Sequence, residues 1–597
     1  MPEGIDAIDW ASLEHAYGPA DDVPALLRAA ASPDARIRDE AVDELFSSLC
    51  HQGSVYSATA PAVRFVARLA LEGPGHRLPL LWLLHGAADG AGRDRQDVRR
   101  AVATALPALL GLAADRDPAV RRTMVWIIAG CEEASLPLLP LLRARLETED
   151  DPEVRAALVT ALGLLDVSPG PSRARNRELL HAPEPLVRTA AATDLLRTAP
   201  LPLPPALVES ALDAHGAAPG DDDTHRPWPA SYVPLTERLM ADPDAALRAV
   251  ERGLPLAWEL TETWRDREAA VLPRLAAAAT DADGLCRVAR VGAALKGGEA
   301  APWLDPHLRS DDPAVRVAAT LAAVRLRVPG APGLVLRLMD ELPEEAASLS
   351  LTPLGVPGAV VSAVAEVFGA AAEPVARRVA ARPRAEWLDA LLPFPALAAA
   401  CAGDLVRLLP ASAGVLASLG PAAGPDAARA LWTHAAAGDL TAALALARVD
   451  GDTEPALRAV RALPDAPERR RAAVLVASEL GPPAAPLLPL LEERLRAPAR
   501  ESRAEAAAAI WRVTGSAHDM APVIADQLTR RADRHEPQLG ALRTLVAMRL
   551  LPEGARPAVE HTAASPRRVV GGFLCDGSPH PDLAVRRAAR ELLALTG

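Results

Sequence analysis

Lysine is all but missing: Lys296 is the only one in 597 residues, and the other 63 basic side chains are arginines. A phosphate-binding loop needs lysine directly after glycine, whereas Lys296 follows Leu295, so that chemistry is excluded. A kinase-type strand lysine or a Schiff base would have to rest on the same residue. Aromatic residues are scarce at 3%, although 50% of the chain is hydrophobic. A core built from Ala, Leu and Val suits closely packed helices better than sheets. The five cysteines (Cys50, Cys131, Cys286, Cys401, Cys575) form no CxxC pair, which argues against a zinc ribbon or a disulfide framework and fits a reducing cytoplasm. The N-terminus carries acid where a secretory leader carries base. The longest uncharged run, Ala346 to Ala365, is broken by Pro353, Gly355, Pro357 and Gly358, so no membrane span is expected.

What the chain does have is a recurring helix start. It reads Asp117-Pro-Ala-Val-Arg121, Asp151-Pro-Glu-Val-Arg155, Pro185-Leu-Val-Arg188 and Asp312-Pro-Ala-Val-Arg316, with looser copies at Pro33–Arg38, Asp242–Arg248 and Pro581–Arg586. Aspartate at the N-cap accepts a bond from an orphan backbone N–H, and proline at the first helical position gives up a donor that had no partner. Apolar positions follow at helical spacing: Val120, Met124, Ile128; Val154, Leu158, Leu162; Val187, Ala191, Leu195. Arg121, Arg155 and Arg188 are 34 and 33 residues apart, the length of one helical hairpin. A second helix type, Leu136–Leu146, is matched 349 residues later by Ala485–Leu495.

Pro-Leu-Leu-x-Leu-Leu helices alternating with Asp-Pro-x-Val-Arg starts resemble HEAT repeats, and the compact Ala-rich form resembles the phycobilisome-lyase-like HEAT subclass. The resemblance implies an all-α, right-handed α-solenoid of stacked helical hairpins, an armadillo/HEAT-like superhelix with about 15 hairpins at roughly 35–40 residues each. It also implies a ladder of Asp and Arg between neighbouring repeats. A fold that hosts many activities does not select one.

The chain is expected to divide into N-terminal repeats over 1–198, a Pro/Asp-rich loop or linker over 199–234, central repeats over 235–345, charge-poor degenerate repeats over 346–425 and C-terminal repeats over 426–597. Segment 346–425 holds five acids and five arginines, which suggests a less solvated surface and self-association. From Arg461 onward 20 Arg face 16 Asp+Glu, a net of +4, so residues 1–460 carry −17 of the total −13.

No catalytic set assembles. One His-Glu pair, His535-Glu536, cannot build a di-iron site, and HExxH fails at Leu539. His215, Asp221, Asp222, Asp223 and His225 read as a solvated acidic loop rather than a metal site. Cys131 and Cys286 fall in helical apolar patterns, where a buried inert thiol is the ordinary state. Trp82, Trp126, Trp432 and Trp511 read as core; Trp10, Trp228, Trp258 and Trp264 are the candidates for interface anchors. The polar segment His51–Pro61 reads as a hairpin loop capping the next helix.

These features point to a non-enzymatic cytoplasmic scaffold or adaptor that binds one or more proteins, with no cofactor or metal. The alternative is a nucleic-acid-binding or DNA-repair-like module. It would use Arg530, Arg531 and Arg534, with Arg494, Arg496, Arg500, Arg503 and Trp511 upstream, although the overall charge opposes it. A lyase-like modifying enzyme is the lesser alternative. The residues singled out for partner contact are Arg530, Arg531, Arg534 and Trp228.

Overall fold

A computed structural model gives the arrangement of the chain and describes residues 4–75, 77–165, 171–217, 233–295, 297–298, 300–341, 359–464, 466–529, 535–572 and 577–597. These are helical almost throughout. Among them the only sheet is one short antiparallel pair, Glu14–His15 with Gly18–Pro19. They fall into two compact units, Met1–Leu254 and Pro255–Gly597.

Unit 1 contains α1 (Val23–Ala29), α2 (Ala35–Leu49), α3 (Thr59–Glu72), α4 (Leu78–Asp89), α5 (Arg95–Leu109), α6 (Pro118–Gly130) and α7 (Leu139–Thr148). It continues with α8 (Pro152–Leu165), α9 (Pro171–Leu179), α10 (Pro185–Arg197), α11 (Pro205–Gly216), α12 (Val233–Leu239) and α13 (Pro243–Glu251). Neighbours in space skip one helix in sequence: α4 packs on α6, α6 on α8, α8 on α10, and α3 on α5. That is the contact pattern of stacked hairpins, an α-solenoid. Their shared core holds Leu81, Leu84, Met124, Ile127, Ile128, Leu158 and Ala191.

The recurring motif works as its chemistry dictates, with one difference. Asp34, Asp117, Asp151, Asp242 and Asp312 each cap their own helix, accepting from backbone N–H groups two or three residues on. The motif arginine folds back over the preceding turn. Arg121 donates to the carbonyls of Asp115 and Arg116, Arg188 to Ala182 and Pro183, and Arg316 to Ser310 and Asp311. Rungs between hairpins do exist, and for Arg121 and Arg155 the acid is glutamate: Arg121 bonds Glu149 at 2.7 and 3.0 Å, and Arg155 bonds Glu184 at 2.6 Å. The motif aspartates are committed to capping, so the rung falls to a carboxylate just before the next helix.

Part of 199–234, read from sequence as loop, is helical. Pro205 sits at the first helical position of α11, where proline is well tolerated, and α11 packs on α10. Two tryptophans also differ from expectation. Trp10 is buried, its indole N–H donating to the Ile5 carbonyl at 2.8 Å, while Trp432 is 52% exposed. The segment from His51 is structural: Val55 N–H donates to the Ala91 carbonyl, Ala91 N–H donates to the Gly53 carbonyl, and the Thr59 hydroxyl donates to the Leu49 carbonyl.

Unit 2 begins with α14 (Ala257–Thr263), α15 (Glu268–Ala278) and α16 (Ala282–Gly292). From α16 a chain of helix contacts runs through Pro313–Arg325, Ala359–Phe368, the turn Ala385–Leu391, Ala413–Leu419, Leu440–Val449, Pro467–Leu480, Arg500–Thr514 and His535–Met548 to the last helix, Pro581–Thr596. The path then closes. Arg265, between α14 and α15, donates to both carboxylate oxygens of Asp582 (2.6 and 2.8 Å) and to the carbonyls of Thr562 and Ser565 (both 2.8 Å). Arg568 donates to the Thr261 carbonyl and to Glu268 (2.6 Å). Backbone bonds tie Arg265 to Pro566 and Arg568 to Thr263. Glu262 accepts from Arg290 and faces His580. Trp264, expected as an interface anchor, lies in this closure with the Arg567 guanidinium over its ring.

The last copy of the motif is built differently so that it can make this clasp. His580 Nδ1, rather than an aspartate, caps the final helix by accepting from Asp582 N–H. Asp582 is thereby free to turn its carboxylate to Arg265, Arg568 and Val569 N–H. Burial alone would raise Asp582, but hydrogen bonds from Arg265 hold it below its ordinary range. Four arginines (265, 290, 568, 586) meet four carboxylates (Glu262, Asp266, Glu268, Asp582), so the clasp is balanced in charge.

Candidate partner-binding groove

A cavity of about 850 Å³ in unit 1 runs across α4, α6, α8 and α10. Its walls come from one register of the repeat. Counting from the motif proline, position 8 supplies Trp126, Thr160 and Thr193, and position 12 supplies Gly130, Leu164 and Arg197. The core uses positions 2, 6 and 10 (Val120, Met124, Ile128), so the groove lies on the other side of the same helices. Leu136 and Leu164 are 39% and 49% exposed in the groove, beside the half-buried Trp126.

The floor depends on a close approach. Gly163 lies under Asp194, and a Cβ there would overlap the carboxylate. Asn176 donates to Asp194 at 2.7 Å, and Arg197 bonds both Asp194 and the Gly163 carbonyl. Gly163→Ala should therefore destabilise unit 1 by about 1–3 kcal/mol through overpacking. Denaturant unfolding followed by exchange protection of α8 and α10 measures this, and an unchanged midpoint would show that Asp194 yields freely.

Charge is arranged along the walls. Glu132, held at φ +48°, accepts from Arg95 (3.1 Å) and Arg99 (2.6 Å). Arg197 is matched by Asp194 at 2.7 Å. Asp89 and Glu133 stand exposed at the α4–α6 end, and among the described residues neither has an arginine partner. His85 is buried beneath them, its ring 6.3 Å from that of Trp126. Burial pushes it below the usual histidine range, with Asp89 pulling the other way.

Arg530, Arg531, Arg534 and Trp228 lie outside the described residues, as do Asp221, Asp222, Asp223 and His225. Upstream of the first three, Arg494 pairs with Glu505, Arg500 and Arg503 with Asp526, and Arg512 covers Trp511. Of the four described cysteines, all buried and none in a disulfide, burial pushes Cys50 up to about 12 and Cys131 to about 11. Among the described residues no group of three or more His, Cys, Asp and Glu could hold a metal ion, and no helix is long and apolar enough to cross a membrane.

A family model for HEAT repeats matches residues 106–196. These are HEAT repeats. The groove is built on this HEAT segment, with His85, Asp89, Arg99 and Arg197 flanking it. A search of curated proteins finds no sequence match. Among solved structures, the chain is similar to the Kap95:Nup1 complex (TM-score 0.45, 12% identity, 96% of this chain and 88% of that one). It is also similar to the karyopherin Kap121p bound to the SUMO protease Ulp1p (TM-score 0.40, 14% identity, 96% and 77%). At such scores the partners of those proteins have no bearing on the HEAT segment.

Proposed function

We propose that this protein is a scaffold that binds a partner protein along the groove of its HEAT segment. The observation that carries the reading is that the half-buried Trp126 and the exposed Leu136 and Leu164 line one cavity on the side of the helices away from the core, while the capped helices hold the frame. Large apolar side chains left exposed together in a concave site are a feature of interaction surfaces. The four described cysteines, buried and outside any disulfide, support placing the protein in a reducing compartment such as the cytoplasm.

A photo-crosslinking residue at Leu164, compared with one at exposed Leu475 in unit 2, tests the reading in lysate of the native host. Protein adducts should form at Leu164 and disappear when Trp126 is replaced by alanine. Equal adducts at both positions, or none, would sink it.

A further inference from the structure

The partner's chemistry is written in the distribution of charge along the groove. Its two arginines are already answered within the chain, Arg99 by Glu132 and Arg197 by Asp194. The other two rim carboxylates, Asp89 at the end of α4 and Glu133 just after α6, have no such match among the described residues and line the same cavity as Trp126 of α6. The buried His85 below has its pKa lowered by burial, so it does not supply the missing positive charge near neutral pH. Toward α8 the lining becomes apolar, with Leu136, Leu164 and Leu165. One end of the groove therefore favours a cation, through two carboxylates and the face of an indole, and the middle favours an aliphatic side chain.

We infer that the groove takes a basic, leucine-bearing segment of a partner protein. An arginine or lysine sits between Asp89, Glu133 and Trp126, and aliphatic side chains cover Leu136 and Leu164. Successive helices in such a stack are about 8–10 Å apart, so the cation and the first aliphatic anchor are separated by about that distance. An acidic segment is disfavoured because it would face the unmatched carboxylates, and a basic but leucine-free one because it would leave the apolar middle wet. This inference rests on the scaffold reading above and adds the class of partner to it.

Fluorescence anisotropy on the full chain at physiological salt tests it with three labelled 14-residue peptides: one of leucine and arginine, one with glutamate in place of each arginine, and one with glycine in place of each leucine. The leucine–arginine peptide should bind at least about tenfold more tightly than either of the others. Asp89→Asn with Glu133→Gln should weaken it about fivefold and flatten its dependence on salt. Leu164→Ser, at an exposed position, should weaken it about fivefold without changing that dependence. Asp426→Asn with Glu492→Gln, exposed acids of unit 2, should leave binding unchanged; an equal loss there would reduce the effect to the net charge of −13 and overturn the inference. If the glutamate peptide binds as tightly and Leu164→Ser still weakens it, the partner chemistry is wrong and the scaffold reading survives. If no peptide responds to Leu164→Ser, both fall.

Discussion

Arg265→Met should cost unit 2 about 3–5 kcal/mol, the usual penalty for removing one partner of a buried ion pair. The Arg265 and Asp582 side chains are 1% and 0% exposed. Methionine would fill much of the space but leave the Asp582 carboxylate with Arg568 at 3.5 Å and one backbone N–H. It would also strip the Thr562 and Ser565 carbonyls of their donor. Because two units contribute to any whole-chain melt, the measurement should be hydrogen exchange of peptides from α14, α15 and α16 under mild denaturant. Their protection should fall together with that of the last helix, some 300 residues away in sequence. Adding Asp582→Leu to Arg265→Met should recover part of the loss, since apolar replacement of a buried pair is often neutral. A single variant costing under about 1 kcal/mol, or one that loosens only the last helix, would show that the clasp does not hold the two ends together.

The second large effect belongs to unit 1 and depends on pH. Glu149 receives Arg121 (2.7 and 3.0 Å), Arg145 (2.6 and 2.8 Å) and the backbone N–H of Asp151 (3.1 Å). Burial would push its carboxyl up, but the bonds from the two arginines bring it from 4.5 down to about 2. A folded-state pKa below the unfolded one adds stability that is complete above the unfolded value and disappears as pH falls through the folded value. The contribution at neutral pH is of the order of 3 kcal/mol, because each tenfold change in proton affinity is worth about 1.4 kcal/mol. Glu149→Gln should therefore lower the stability of unit 1 by about 2–3 kcal/mol at pH 7. Denaturant titrations between pH 7 and pH 3 should show that deficit shrinking below about pH 4.5. A deficit that stays constant over this range would mean that Glu149 packs rather than pairs.

Much of the frame was legible because it is local. An N-cap and the N–H it satisfies lie two or three residues apart, as with Asp117 and Ala119, so composition and spacing reveal them. The rungs were half legible: the arginine periodicity marked one partner, but only the folded turns show that Glu149 and Glu184 replace the motif aspartates as acceptors. The groove left its signal in the same helices that supply the core. Positions 8 and 12, set beside positions 2, 6 and 10, place Trp126 and Leu164 on one face opposite the core. Trp432 shows the limit of such patterns, since its helical position suits a core while its neighbours in space leave it exposed. The clasp had no local trace, because Arg265 and Asp582 are 317 residues apart and nothing in their neighbourhoods points from one to the other. At the clasp itself the visible irregularity is His580, standing where Asp117, Asp151 and Asp312 precede their prolines.

The contact between Arg586 and Asp266 (2.9 and 3.0 Å) has a consequence for how unit 2 can change. In unit 1 the motif arginines Arg121 and Arg155 reach forward to an acid belonging to the following hairpin. Arg586, the arginine of the looser motif copy in the final hairpin, finds its acid at the start of unit 2, so the last step treats the first as its successor. An open array can grow or shrink by copying a hairpin. In unit 2 an added or deleted hairpin would set Arg586 and Asp266, and Asp582 and Arg265, out of reach of each other. Its hairpin number is fixed as the number of staves is fixed in a barrel, and variation there is confined to loops and exposed faces.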